Sequence, residues 1–494
     1  MKQSGIKTEA EKSSVKRITG NIFFSILNQV FVTLAPLLTT PYVNRVLGAE
    51  KLGVYTFTLT NVNYFVLFAM LGLAAYGTRT IAENSDNPEK ISKHFWQIYT
   101  IQFITSVLCI ILYGFYLLSG PQNLLIAAIQ IFWLFSALMD FGWFFYGIEE
   151  VKLMALRSTL VKILTIAGIF IFVHKDANAL VSYTLIMALG NWLGMISVVP
   201  LLRRFVQKPE ISLAESKVHL KPILILFIPI LAMSVFHNMD KTMLGILSSY
   251  SELGYYRNAD LIINVPLGIV NVLASVFLPR SSALYSEGKQ KEWYSFLNHT
   301  FELTVFLAIL LAFGIAGCAK DFVPIFLGEE FIPCIELTYV FVPVLVIKAI
   351  SNFYRMEYLI PRHMEKTYVI ATFGGAIANI IFNAILIPRL GALGAVLGTL
   401  IAEGTLMIIQ MFPKDTLLPY FKWLIAVAVY CVIGIVMFYF MTFVAGLHLN
   451  VIYRILMEIA AGGIFYLVCC LIYWRYISKN KEIMDLIRSF LPKR

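Results

Sequence analysis

Lys162 sits inside a run of apolar residues, nine positions from the nearest end of that run. A charge held in hydrocarbon costs several kcal/mol and must be offset by a partner or by water. Lys162 is therefore read as a functional cation, with a snorkelling structural lysine as the alternative. Asp240 and Lys241, with His237 one turn earlier, form either a local ion pair or a substrate or proton site. Glu403 and Asp140, also within apolar runs, are candidate coupling carboxylates, each otherwise the partner of a basic neighbour. Arg79, Arg280 and Arg355 fall at one set of helix ends and Arg45 and Arg257 at the other, where a functional role competes with a solvated or lipid-phosphate-facing one. The amides Asn28, Gln29, Asn61 and Asn63 either line a wet cavity or bond between helices.

Other chemistries lack their signatures. There is no GxxxxGK[ST] loop for nucleotide hydrolysis and no HExxH pair for zinc, so neither an enzyme nor a cofactor is expected. The six cysteines, Cys109, Cys318, Cys334, Cys431, Cys469 and Cys470, lie in or beside apolar runs and read as small buried hydrophobes.

The elements that position these residues follow from composition. Of 494 residues, 59% are hydrophobic and 14% charged, against about 25% charged in a soluble domain. Mean hydropathy is +0.78. That excludes a cytosolic enzyme, a disordered chain and a secreted disulfide scaffold. The fold class is an all-α polytopic membrane protein with about fourteen spanning helices. The divisions are a tail over 1–18, six spans over 19–202, a linker over 203–221, six spans over 222–412, two more over 413–474 and a tail over 475–494. Pro36, Pro229 and Pro266 fall inside spans, where each removes a backbone hydrogen bond and permits a kink. The linker carries Ser212-Leu-Ala-Glu215, a capping-box pattern that opens a short interfacial helix or else a plain loop.

The net charge of +10 would suggest nucleic acid in a soluble protein, but here basic residues collect at inner helix ends. With the amino terminus inside, inner segments hold 30 Lys and Arg against 8 outside, so both termini are expected in the cytoplasm. Trp96, Trp143, Trp293, Trp423 and Trp474 fall near span ends, where an interfacial belt is expected. A shift of 201 residues lays Leu52-Gly53 on Leu253-Gly254, Arg79 on Arg280 and Lys90 on Lys291. Six spans per half is even, so the halves read as parallel repeats, an arrangement suited to a transporter with two lobes around a central site.

Pro41-Tyr-Val-Asn-Arg-Val-Leu-Gly48, Leu52-Gly-Val-Tyr55 and Tyr76-Gly-Thr-Arg79 resemble the amino-terminal signature of bacterial polysaccharide flippases. Asp140-Phe-Gly-Trp-Phe-Phe-Tyr-Gly-Ile-Glu149, Gly375-Ala-Ile-Ala-Asn379 to Asn383, and Gly391-Ala-Leu-Gly-Ala395 to Glu403 are similar to later segments of the same family. The family is the polysaccharide transporter (Wzx-like) branch of the multidrug/oligosaccharidyl-lipid/polysaccharide exporter superfamily. The resemblance implies two six-helix lobes around a cavity, with two extra carboxy-terminal helices and alternating access. It implies transfer of an undecaprenyl-diphosphate-linked oligosaccharide between leaflets of the bacterial plasma membrane, for capsule, exopolysaccharide or cell-wall polysaccharide. A proton or sodium gradient or the membrane potential would drive it, with Asp140, Asp240 and Glu403 as coupling candidates. Arg45, Arg79, Lys162, Lys241, Arg257, Arg280 and Arg355 would bind the substrate. Implied partners are that substrate, membrane lipids and a polymerase of the same pathway; a monomer suffices. The alternatives are an ion-coupled drug or toxin antiporter of the superfamily and, from a different class, a membrane polysaccharide polymerase or ligase.

Overall fold

The computed structural model describes the side chains of residues 31, 34–207, 214–413, 415, 417–447 and 450–476. Asn28, Gln29 and Ser212 lie outside them. Contacts divide the chain into two compact units, Met1–Gly245 and Ile246–Arg494, each α-helical with no strand among the described residues.

The first unit contains α1 (Lys2–Met70), α2 (Leu73–Ala82), α3 (Pro88–Leu118), α4 (Leu124–Ile129), α5 (Ile131–Leu138), α6 (Gly142–Gly147), α7 (Val151–Phe172), α8 (Ala179–Ile196) and α9 (Val199–Leu202). Then α10 (Leu213–Leu247) starts in the inner connection and continues without a break into the next apolar run. The second unit contains α11 (Tyr250–Ser286), α12 (Gln290–Leu327), α13 (Cys334–Phe353), α14 (Glu365–Gln410), α15 (Tyr420–Ala445) and α16 (Val451–Ile472), with π-helical turns at Tyr354–Leu359 and Tyr473–Ile477.

Among the described residues twelve helices are long and apolar enough to cross a membrane, so the chain is a multi-pass membrane protein. Two of the long helices are interrupted. In α1 the backbone breaks at Gly48 (φ 74°), and in α14 at Gly391 (φ 55°). Only glycine holds such positive φ without a Cβ clash, so these residues turn the chain where the prolines do not. Pro36, Pro229 and Pro266 all lie within continuous helix. With 46 residues, α14 would measure about 69 Å if straight, more than twice a bilayer's hydrocarbon core.

Local sequence places the helix starts. Asn87 accepts hydrogen bonds from the amides of Glu89 and Lys90 ahead of α3, with Pro88 in the first turn. Ser249 caps α11 through the amide of Glu252, and Asn450 caps α16 through that of Ile452.

The tryptophans near span ends depart from the expected belt. Trp143, Trp293, Trp423 and Trp474 are all buried. Each indole N–H has an internal acceptor: Gln102 Oε1 at 2.9 Å for Trp143, Ser281 Oγ at 2.8 Å for Trp293, Asn298 Oδ1 at 2.9 Å for Trp423 and the Tyr430 hydroxyl at 2.7 Å for Trp474. A large ring with one donor suits the dry end of a helix pair as well as a lipid interface, provided an acceptor lies within reach. All six cysteines are free.

Candidate functional site

In the first unit, Lys162 on α7 is half-buried, and no hydrogen bond or ion pair reaches it among the described residues. Arg157, one and a half turns earlier, is occupied: its guanidinium donates to Gly194 O at 3.5 Å and lies 3.1 Å from Met195 Sδ. Asp140 serves a helix break. Its carboxylate accepts from Gly142 N at 2.9 Å between α5 and α6, while its carbonyl accepts from Gln102 Nε2 at 3.0 Å. Asp240 is buried, Lys241 half-buried and His237 exposed on α10. On the same helix, Thr242 meets the Tyr64 hydroxyl at 3.0 Å. Asn61 donates to the Tyr116 hydroxyl at 3.3 Å, an interhelical bond.

Arg45 is exposed, with Nη1 on Pro41 O at 2.7 Å. Arg79 is exposed and paired with Glu83 one turn on, at 2.8 Å.

A polar chain that the sequence did not signal joins α2, α3 and α10. The Tyr76 hydroxyl lies 2.6 Å from His219 Nδ1, His219 Nε2 lies 2.8 Å from Gln97 Oε1, and Gln97 Nε2 donates to Glu215 at 2.7 Å. Lys93 closes the chain on Glu215 at 2.8 Å. Because an amide oxygen only accepts, His219 Nε2 carries the proton, leaving Nδ1 of the neutral ring to accept from Tyr76. These residues lie up to 143 positions apart, so only the fold reveals the chain.

In the second unit the most extended feature is a stripe on α11. Arg257, Asp260, Asn264, Asn271 and Ser275 recur at helical spacing, the last three exposed, while Ile262, Ile263, Leu267 and Val270 are buried on the other side. Asn264 donates to Asp260 at 2.6 Å. From Asn271 the network leaves the helix: Asn352 Nδ2 donates to Asn271 Oδ1 at 2.9 Å, and Arg355 Nη2 donates to Asn352 Oδ1 at 2.6 Å. The Arg355 guanidinium lies 5.4 Å from the centre of the Tyr368 ring on α14. Arg355 thus joins the amides of Asn271 and Asn352, while Arg257 shares the helix of Asn271; such a surface offers donors and acceptors to hydroxyls and cations to phosphates. The signal for the amides was present as polar residues at helical spacing.

Glu403 on α14 is buried and faces Lys348 of α13 at 3.7 Å. Close by in sequence, Asn383 donates to Asn379 at 3.0 Å, and Thr399 meets the Tyr256 hydroxyl at 3.2 Å. Glu357, in the π-helical turn after α13, is fully buried, with the Thr300 hydroxyl as its side-chain hydrogen-bond neighbour and no partner charge among the described residues; nothing in the sequence singled it out. Arg280 lies apart from the stripe's network, in a cavity between α11 and α12. No group of three or more His, Cys, Asp or Glu among the described residues could hold a metal ion.

Comparison with known proteins gives this geometry a family. The family described as "Polysaccharide biosynthesis protein" matches residues 18–285. Two proteins each named "Putative O-antigen transporter" are similar to the chain. That of Escherichia coli (strain K12) is 23% identical over 366 residues, 72% of this chain and 86% of that protein. That of Shigella dysenteriae is 23% identical over 384 residues, 76% of this chain and 95% of that protein. The fold resembles the solved structure "Lipid II flippase MurJ, inward closed conformation" with a TM-score of 0.73 at 18% identity, covering 92% of this chain and 99% of that one. It also resembles an inward-facing MATE family multidrug transporter of the MOP superfamily, with a TM-score of 0.58 at 14% identity over 82% of this chain and 98% of that one. The chain belongs to the polysaccharide biosynthesis protein family.

Proposed function

We propose that the protein is a flippase moving an undecaprenyl-diphosphate-linked oligosaccharide repeat unit from the inner to the outer leaflet of the bacterial plasma membrane by alternating access. It would serve assembly of capsule, exopolysaccharide or cell-wall polysaccharide. The observation that carries this reading is the amide stripe of α11, with Arg257 near one end and Arg355 joined through Asn271 and Asn352. An apolar wall would leave sugar hydroxyls without partners, whereas amides replace the water they lose. Family membership and the transporters and flippase among the relatives support the same class.

In this proposal fourteen spans form two six-span lobes plus a carboxy-terminal pair, with both termini cytoplasmic. The cations for the diphosphate are Arg257 and Arg355 in the second unit, at different stages of its passage, and Lys162, Lys241, Arg45 and Arg79 in the first. Asp140, Asp240 and Glu403 are the coupling carboxylates; Asp140 also holds a helix break and Glu403 faces Lys348.

The test is leaflet exchange of fluorescent undecaprenyl-diphosphate oligosaccharide in liposomes, read by a membrane-impermeant reagent. Exchange accelerated by the protein and reduced by Asn271→Leu and Lys162→Ala supports the reading. Exchange that Lys162→Ala leaves unchanged removes that lysine from the site. No exchange under any ion gradient, together with efflux of cationic dyes, would overturn the reading in favour of an antiporter.

A further inference from the structure

Arg280 has an unusual position for a cation. It lies six residues before the end of α11, about 9 Å along the helix from the turn into α12. It is exposed, and no hydrogen bond or ion pair reaches its guanidinium among the described residues. The carboxylate nearest in sequence, Glu287, is held by Lys289 at 2.8 Å, and the Arg280 charge acts on it without a direct ion pair. Glu292, the other acid at this end, acts on Lys289 as well.

Arg280 stands at the edge of a cavity of about 470 Å³ between α11 and α12. Exposed Glu292 and Ser295 line it with Arg280, and half-buried His299 lies one turn further along α12. Phe277, Phe296 and Leu303 supply apolar wall, with Trp474 also lining the space. A cation at the rim of an apolar slot fits a ligand with an anionic head and a hydrocarbon tail. Guanidinium binds phosphate oxygens in a two-pronged geometry, a net-negative headgroup brings no cation for Arg280 to repel as choline would, and the aromatic and aliphatic walls gain from covering an acyl chain. Free phosphate would leave those walls wet, and a sugar would find few partners on them.

We propose that this cavity is a binding site for an anionic phospholipid of the surrounding bilayer, its phosphate on Arg280 with His299 beside it and one acyl chain along Phe277, Phe296 and Leu303. The site lies outside the amide network and does not depend on which lipid-linked oligosaccharide is carried. Arg79, its counterpart in the repeat, has no such vacancy because Glu83 occupies it.

Native mass spectrometry of the full chain, titrated with phosphatidylglycerol, phosphatidylcholine or inorganic phosphate, tests the proposal. The expected result is retention of phosphatidylglycerol about fivefold better than phosphatidylcholine, the order of one basic residue facing a net negative charge, because choline offsets the phosphate that both lipids carry. Arg280→Gln should abolish that preference and Arg280→Lys should restore part of it. Leu303→Gln should weaken phosphatidylglycerol without restoring phosphatidylcholine. Arg280 is exposed, so its variants test binding rather than folding. Equal retention of both lipids by the wild type, a preference untouched by Arg280→Gln, or full competition by inorganic phosphate would each overturn the proposal. Displacement of phosphatidylglycerol by lipid-linked oligosaccharide at equal concentration would overturn it too, giving the cavity to the cargo.

Discussion

Lys348 of α13 lies 3.7 Å from Glu403 of α14, the two side chains only 15% and 6% exposed. Neither charge is stable alone at that depth, so each accounts for the other's presence within an apolar helix. Lys348→Met should cost about 3 kcal/mol by leaving a buried carboxylate without its partner charge. The double variant Lys348→Met/Glu403→Gln should regain most of that loss in a thermal unfolding series in detergent. Additive losses would show that the two residues act independently.

Glu357 presents the opposite case, a fully buried carboxyl beside the Thr300 hydroxyl with no partner charge among the described residues. Glu357→Gln removes the ionisable group at nearly constant volume, so the unfolding midpoint should stay level or rise. A fall equivalent to more than about 2 kcal/mol would show that the carboxyl has a partner the static geometry does not reveal.

The chain from Tyr76 through His219 and Gln97 to Glu215 predicts unequal losses along its length. Gln97→Ala strips His219 of its acceptor and Glu215 of one donor, and should cost about 2 kcal/mol. Tyr76→Phe deletes one neutral bond and should cost about 1 kcal/mol. Unfolding midpoints at one pH and one lipid composition check the ranking; a larger loss for Tyr76→Phe would contradict it.

Asp415, outside the spans, predicts a pH dependence. Burial pushes its carboxyl up, but hydrogen bonds from Tyr294, the Leu417 amide and Tyr358, with the Arg362 charge, bring it below the usual carboxylate range. Tyr294 donates at 2.6 Å and Arg362 at 3.1 Å. A group depressed in the folded state contributes stability that is full above its unfolded pKa and vanishes as pH falls through the folded one. The stability gap between wild type and Asp415→Asn should therefore be constant near neutrality and shrink below about pH 4. A gap that widens on acidification would reverse the sign and refute the assignment.

Hydropathy by itself determined the class, the helical fold and the approximate positions of the spans. In a bilayer the backbone must satisfy its own hydrogen bonds, so a long apolar run has little choice but helix. The same logic exposed Lys162, Asp240 and Glu403, since a charge in such a run is visible without any partner. Gly48 and Gly391 were quoted in motifs, yet their role in turning the chain belongs to backbone torsion and emerged only with φ.

What the tertiary structure alone decided is pairing. Lys348 meets Glu403 across 55 positions, and Arg454 meets Asp321 across 133. Arg79 and Arg280 are matched by the 201-residue shift of the sequence, but one has Glu83 a turn away and the other opens onto a cavity. Composition counts charges and periodicity assigns them a helical face. Whether a charge is neutralised depends on which other helix packs against that face, and helix packing is set by long-range contacts that no local pattern encodes.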